Sequence, residues 1–178
     1  VEGDLVHPST IAECVEYFKY HTHIAVDTET QGRDPHSKKI LSLQIGDDRN
    51  QWVIDCRTIN ILRFKELLES KICIFHNAKF DYKFLKHAGI LVENIYDTML
   101  AECVIYCGYE KFGYSLKDVT LRYLNIDLDK STRGEFYKLE SEPFTDGQIE
   151  YAALDVTYLH QIMALQQEKI TQYNLQYC

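Results

Sequence analysis

Apolar positions recur along this chain in two rhythms. Near the N-terminus, Ile11, Cys14, Val15 and Phe18 fall at helical spacing after Ser9, which is placed to cap a short helix. The apolar run Ile24, Ala25, Val26 reads as a strand, and residues 31–39 (QGRDPHSKK) as a polar loop. Two more strands are predicted over 40–46 and 51–54, and the short polar connection holding Asp47, Asp48 and Asn50 predicts an antiparallel hairpin. Strand and helix patterns then alternate: a helix over 61–69, a strand over 71–75, a helix over 79–87, a short strand at 95–96, a helix from 97 and another from Ser115 to 124. Residues 125–143 show no period and read as a surface loop. A long helix begins near Thr145, which stands at capping-box spacing from Gln148, and its apolar stripe is Ile149, Ala152, Val156, Leu159 and Met163. Three strands followed by alternation predict an α/β fold, with a mixed sheet antiparallel at one edge and flanked by helices. No repeat, low-complexity tract or linker interrupts it, so 1–178 reads as a single domain.

Composition narrows the picture little. With 178 residues, 46% of them hydrophobic, the chain can bury one core without staples. No stretch approaches the roughly 18 apolar residues of a membrane span, so no membrane partner is expected. The opening VEGDLVHPST lacks the basic and apolar regions of a signal peptide. Because it starts at Val1, the chain is expected to be a fragment or a processed form. Its six cysteines form no close ligand pairs of the kind zinc needs, and most lie in apolar surroundings. Free thiols are therefore expected rather than disulfides, in an intracellular, reducing compartment. A net charge of −8 argues against a nucleic-acid binder, unless some of the carboxylates hold cations.

Three segments carry candidate chemistry. Asp27 and Glu29 follow the first strand and, two apart, share one of its faces. Two carboxylates on one face repel each other unless a divalent cation lies between them; the plainer reading is a strand end fraying into polar loop. Asp81 follows the strand over 71–75 and falls in the first turn of a helix, where an acid also serves simply to complement the helix dipole. Tyr151 and Asp155, four apart, share a helix face roughly 90–130° from the apolar stripe, so both can face a cleft while the helix stays docked. Oxygen donors from three separated segments suit Mg²⁺ or Mn²⁺, and two such ions can serve a phosphodiester displacement.

With these residues in place, the chain resembles the DEDD superfamily of 3′→5′ exonucleases, in the tyrosine-bearing branch that holds family A polymerase proofreading domains and ribonuclease D-like enzymes. The likeness rests on Asp27-Thr28-Glu29-Thr30, on His76-Asn77-Ala78-Lys79-Phe80-Asp81 and on Tyr151-Ala152-Ala153-Leu154-Asp155, in the family's order. Leu43-Gln44-Ile45-Gly46, Tyr96-Asp97-Thr98 and Leu128-Asp129-Lys130-Ser131 add to it, and it covers about residues 20–170. The resemblance implies a ribonuclease H-like fold and two divalent cations, Mg²⁺ or Mn²⁺. Asp27, Glu29 and Asp155 would hold the first; Asp27 would bridge to the second, with Asp81 assisting through water. Tyr151 would orient the attacking water rather than act as a base, since a free phenol ionises only near about pH 10. The partner would be the 3′ end of a single-stranded nucleic acid and the product a nucleoside 5′-monophosphate, with a polymerase or other domain as a further partner. Thr28, Asn77, Phe80 and Lys130 match positions near the substrate, with Arg133 as a second loop cation. Phe80 reads equally as a core residue, and Asp97 as a helix cap.

The substrate sugar stays open. The Asp-Thr-Glu-Thr opening favours a DNA-directed, proofreading-type enzyme slightly. The alternative is RNA 3′-end trimming, and residues 132–137 (TRGEFY) do not align with the corresponding segment of ribonuclease D-like enzymes. Two non-catalytic readings compete with both: a binding module that has lost activity, and an acidic interaction domain that takes no metal.

Overall fold

The computed structural model describes residues 8–128 and 142–175. Five strands form one sheet: β1 (His23–Thr30), β2 (Ile40–Gly46), β3 (Gln51–Asp55), β4 (Ile72–Phe75) and β5 (Ile95–Asp97), in the order β3-β2-β1-β4-β5. The β1–β2 and β2–β3 pairs are antiparallel, while β1–β4 and β4–β5 are parallel. β1 thus divides an antiparallel half from a parallel half, the mixed sheet expected from the order of patterns.

Helices cover both faces because both faces are apolar. On one, Ile24, Val26, Leu43, Ile45, Cys73 and Phe75 pack against α1 (Pro8–Phe18), α2 (Lys65–Ser70) and α3 (Ala78–His87). The other face carries smaller residues, among them Ala25 and Gly46, and takes α5 (Leu116–Leu124), α6 (Asp146–Thr157) and α7 (Leu159–Gln172). A Cβ at Gly46 would lie 3.0 Å from a methyl of Val156 on α6, so the bare backbone lets that helix approach closely. α4 (Thr98–Ile105) follows β5 and packs on α7.

Three details depart from the sequence expectations. α1 begins at Pro8, so Ser9 lies inside the helix rather than capping it; proline's fixed φ and missing N–H suit a first turn. The helix expected over 61–69 opens as a 3₁₀ turn, Ile61–Phe64, capped by the Asn60 side chain on the Leu62 amide. The long helix after Thr145 is two helices. Its Thr145–Gln148 capping box forms as predicted, but the Thr157 hydroxyl bonds back to the Ala153 carbonyl at 2.8 Å, an interaction that bends helices, and Tyr158 (φ −104°, ψ −2°) separates α6 from α7. Ala152 therefore packs with Leu41, Val53 and Phe144, while Leu159 and Met163 pack with α5.

The five described cysteines are free thiols, and Cys178 lies outside the described residues. Among the described residues no helix is long and apolar enough to cross a membrane.

Candidate active site

A crevice opens where β1 outruns its parallel neighbour. Pairing between β1 and β4 stops at Ala25↔Ile74, yet β1 continues to Thr30 against β2. The freed edge needs other partners for its backbone groups. Asp81, in the first turn of α3, supplies one: its Oδ1 accepts from the Thr28 amide at 3.0 Å and the Thr28 hydroxyl at 2.6 Å. The cavity left at this end of the sheet measures about 720 Å³ and contains Asp27, Glu29, Asp81, Tyr151 and Asp155 in its wall. Open α/β sheets characteristically bind ligands outside the carboxyl ends of their strands, where the order changes direction.

Alternation along β1 sorts the side chains. Thr28 and Thr30 are buried, whereas Asp27 and Glu29 are half-buried and share the face that α6 covers. α6 lies across β1, β2 and β3 and brings Asp155 and Tyr151 over the same spot. One carboxylate oxygen from each of Asp27, Glu29 and Asp155 lies within 4.8 Å of the others. Behind the pair, β2 presents Gln44 opposite Asp27 and Ser42 opposite Glu29, both fully buried, with Gln44 Nε2 donating to Ser42 Oγ at 2.7 Å. The register then shifts between Glu29 and Thr30, a bulge of the kind that re-aims side chains beside sites.

Asp81 differs from the other three. It is 2% exposed, and burial raises its carboxyl above the ordinary range while the Thr28 donors pull it down. It lies outside the trio of converging oxygens.

The sequence model of 3′–5′ exonucleases matches residues 7–170. The chain belongs to the DEDD family of 3′–5′ exonucleases. It is 31% identical to DNA polymerase I of Aquifex aeolicus over 153 residues, 85% of this chain and 25% of that protein. It is also 31% identical to ribonuclease D of Pseudomonas paraeruginosa over 161 residues, 86% of this chain and 41% of that one. The exonuclease thus spans less than half the length of these two relatives. Among solved structures, Brucella melitensis NrnC with bound Mg²⁺ superposes with a TM-score of 0.74 at 26% identity, covering 88% of this chain and 77% of that one, and NrnC has also been solved bound to pGG. The fold is ribonuclease H-like, as expected, and enzymes of this family use divalent metal ions.

The remaining candidates of the exonuclease divide. Asn77 lines the cavity in a left-handed conformation (φ 70°) and donates its amide to Asp97 Oδ1 at 3.0 Å. Phe80, half-buried, lines the cavity and packs on the buried Phe84, ring centroids 5.3 Å apart. Thr28 is in the wall, with its hydroxyl committed to Asp81. Lys130 and Arg133 fall outside the described residues. Sequence reasoning missed the cavity's described cations, Arg33 in the loop after β1 and Lys117 in the first turn of α5. It also missed Ser42, whose signal was a polar residue two before Gln44 in an apolar strand.

Proposed function

We propose that this exonuclease removes nucleotides one at a time from the 3′ end of a single-stranded nucleic acid, releasing nucleoside 5′-monophosphates, with Asp27, Glu29, Asp155, Asp81 and Tyr151 as its working residues. The single observation that carries the reading is the convergence of three carboxylates within 4.8 Å in one cavity. Three like charges this close are costly without a cation, and all-oxygen donors suit Mg²⁺ or Mn²⁺. The residues therefore fit the metals of the family. Asp27, Glu29 and Asp155 would hold one ion, with Asp27 shared towards a second and Asp81 assisting through water. When bound, such ions lower the pKa of water and neutralise charge on the attacking and leaving oxygens.

The chain's own groups supply the rest. The Tyr151 hydroxyl orients the attacking water. Thr28 holds Asp81 by two donors and so fixes α3 against β1. Asn77 and Phe80 border the space for the terminal nucleotide, and Arg33 offers positive charge to its phosphates, while Lys117 is held by Asp127 at 2.8 Å. Removing divalent ions with EDTA is expected to abolish release of mononucleotides from a labelled single strand, and Mg²⁺ or Mn²⁺ to restore it. Persistent hydrolysis in EDTA, or endonucleolytic products, would refute the reading.

DNA is the favoured substrate, on the Asp27-Thr28-Glu29-Thr30 opening and the identity with DNA polymerase I. The second reading, RNA 3′-end trimming, has the equal identity with ribonuclease D in its favour. Digestion of matched DNA and RNA strands separates them: faster decay of RNA, slowed by a terminal 2′-deoxy substitution, would replace the first reading by the second.

A further inference from the structure

We infer that the turn joining α4 to α5 is a stacking platform for the substrate strand several nucleotides upstream of its 3′ end, which makes this enzyme selective for strands longer than a dinucleotide. The inference rests on the exonuclease reading above and adds a second contact region to it.

Both helices flanking this connection begin at the cavity, so it leaves from the far end of α4 and returns. Met99 lines it at the base of α4, and Ser115, Leu116 and Lys117 line it at the base of α5. The 8 residues of α4 carry the chain about 12 Å away, the span of roughly three or four stacked nucleotides at 3.4 Å each. At the far end stands a cluster of rings and cations. Tyr106 and Phe112 stack with centroids 4.3 Å apart and planes 28° from parallel, and Tyr109 leans on Phe112 at 5.8 Å. Lys169 lies over Tyr106 and Tyr123, Lys111 over Tyr109, and Arg122 over Tyr106 and Phe112.

The cluster is built, yet two of its rings stay in water. Glu102, fully buried, accepts from Arg122, from Tyr123 Oη at 2.9 Å and from Gln166 at 2.8 Å. Arg122 also donates to the carbonyls of Phe112 and Gly113, pinning the turn. Even so, Tyr109 is 53% exposed and Phe112 42%, and Leu100, beside Met99, is 59%. Exposed rings interleaved with lysines are the chemistry that holds single strands, since every base has a face to stack and every phosphate a charge to meet.

The test compares a chromogenic thymidine 5′-monophosphate p-nitrophenyl ester, too small to reach the turn, with single strands from a dinucleotide to about twelve nucleotides. For the wild-type enzyme, kcat/KM is expected to rise with length and level off beyond about four or five nucleotides. In Tyr109→Ala/Phe112→Ala that rise should flatten, with a loss of about tenfold on the longest strand relative to the ester. The exposed single change Lys111→Glu should weaken long-strand binding in a salt-dependent way without touching the turn's packing, and Tyr109→Phe should keep the length effect. Equal losses on ester and strand, or none on either, would overturn the platform. An enzyme that hydrolyses neither substrate would instead refute the exonuclease reading. In that case, anisotropy of a labelled long strand still decides the platform: unchanged affinity in the double variant rejects it.

Discussion

At the scale of single residues, the site separates groups that carry charge from groups that hold them. Asp155→Asn or Asp27→Asn keeps shape and removes a ligand charge. Each is expected to lower hydrolysis by roughly a thousandfold or more, as loss of several kcal/mol of transition-state stabilisation implies, with the far-ultraviolet circular dichroism unchanged. Retained activity in either variant would remove the metal assignment. Tyr151→Phe should lose less, about ten- to a hundredfold, since orientation is lost while the acidity of the water is not; a loss matching that of Asp155→Asn would show that the phenol does more than position. The Asp27/Glu29 pair was legible because strand alternation is local. The bond between Thr28 and Asp81 was not, because the partners stand 53 residues apart and only the fold shows that β4 stops short.

At the scale of elements, the most consequential residue is Asp97. As expected it caps α4, accepting from the amides of Met99 and Leu100, but it also accepts from those of Asn77 and Ala78 at the start of α3. One carboxylate therefore satisfies the orphan N–H groups of two helices, and it fixes the left-handed turn at Asn77 that aims α3 into the cavity. Asp97→Ala should cost about 2–4 kcal/mol in urea unfolding, more than an ordinary cap; a cost below about 1 kcal/mol would mean that water replaces the carboxylate. Gly113 is the other fixed point. Its φ is +62°, and a Cβ there would come within 2.7 Å of the Asp118 carboxylate that completes the α5 capping box. Gly113→Ala is expected to destabilise by about 1–3 kcal/mol in the same measurement. The cap at Thr145 could be read from the sequence because it is encoded within four residues. The break at Tyr158 could not, because the apolar stripe continues across it.

At the scale of the whole molecule, two apolar layers hold the sheet between them, and the thiols report on it. Burial pushes Cys14, Cys56 and Cys73 up to about 12. A raised value leaves little thiolate near pH 8, so these three should resist alkylation in the folded protein and become reactive together on unfolding, whereas the exposed Cys107 should label at once. Mass-spectrometric counting of labelled sites against urea checks this, and early labelling of Cys73 would mean that the sheet opens locally. The layered architecture was readable in outline from the order of strand and helix rhythms. The cavity was not, since Arg33 and Lys117 reach it only through the path of the chain.

The change of strand direction at β1 has a consequence for heat. Asp81 rides on a helix packed against the parallel half of the sheet, Tyr151 and Asp155 on one packed across the antiparallel half, and a single strand joins the two halves. No part of the constellation belongs to a unit that could melt away and leave the others standing. Heat inactivation and loss of the folded signal should therefore fall on the same curve, with no temperature at which a folded but inert enzyme accumulates.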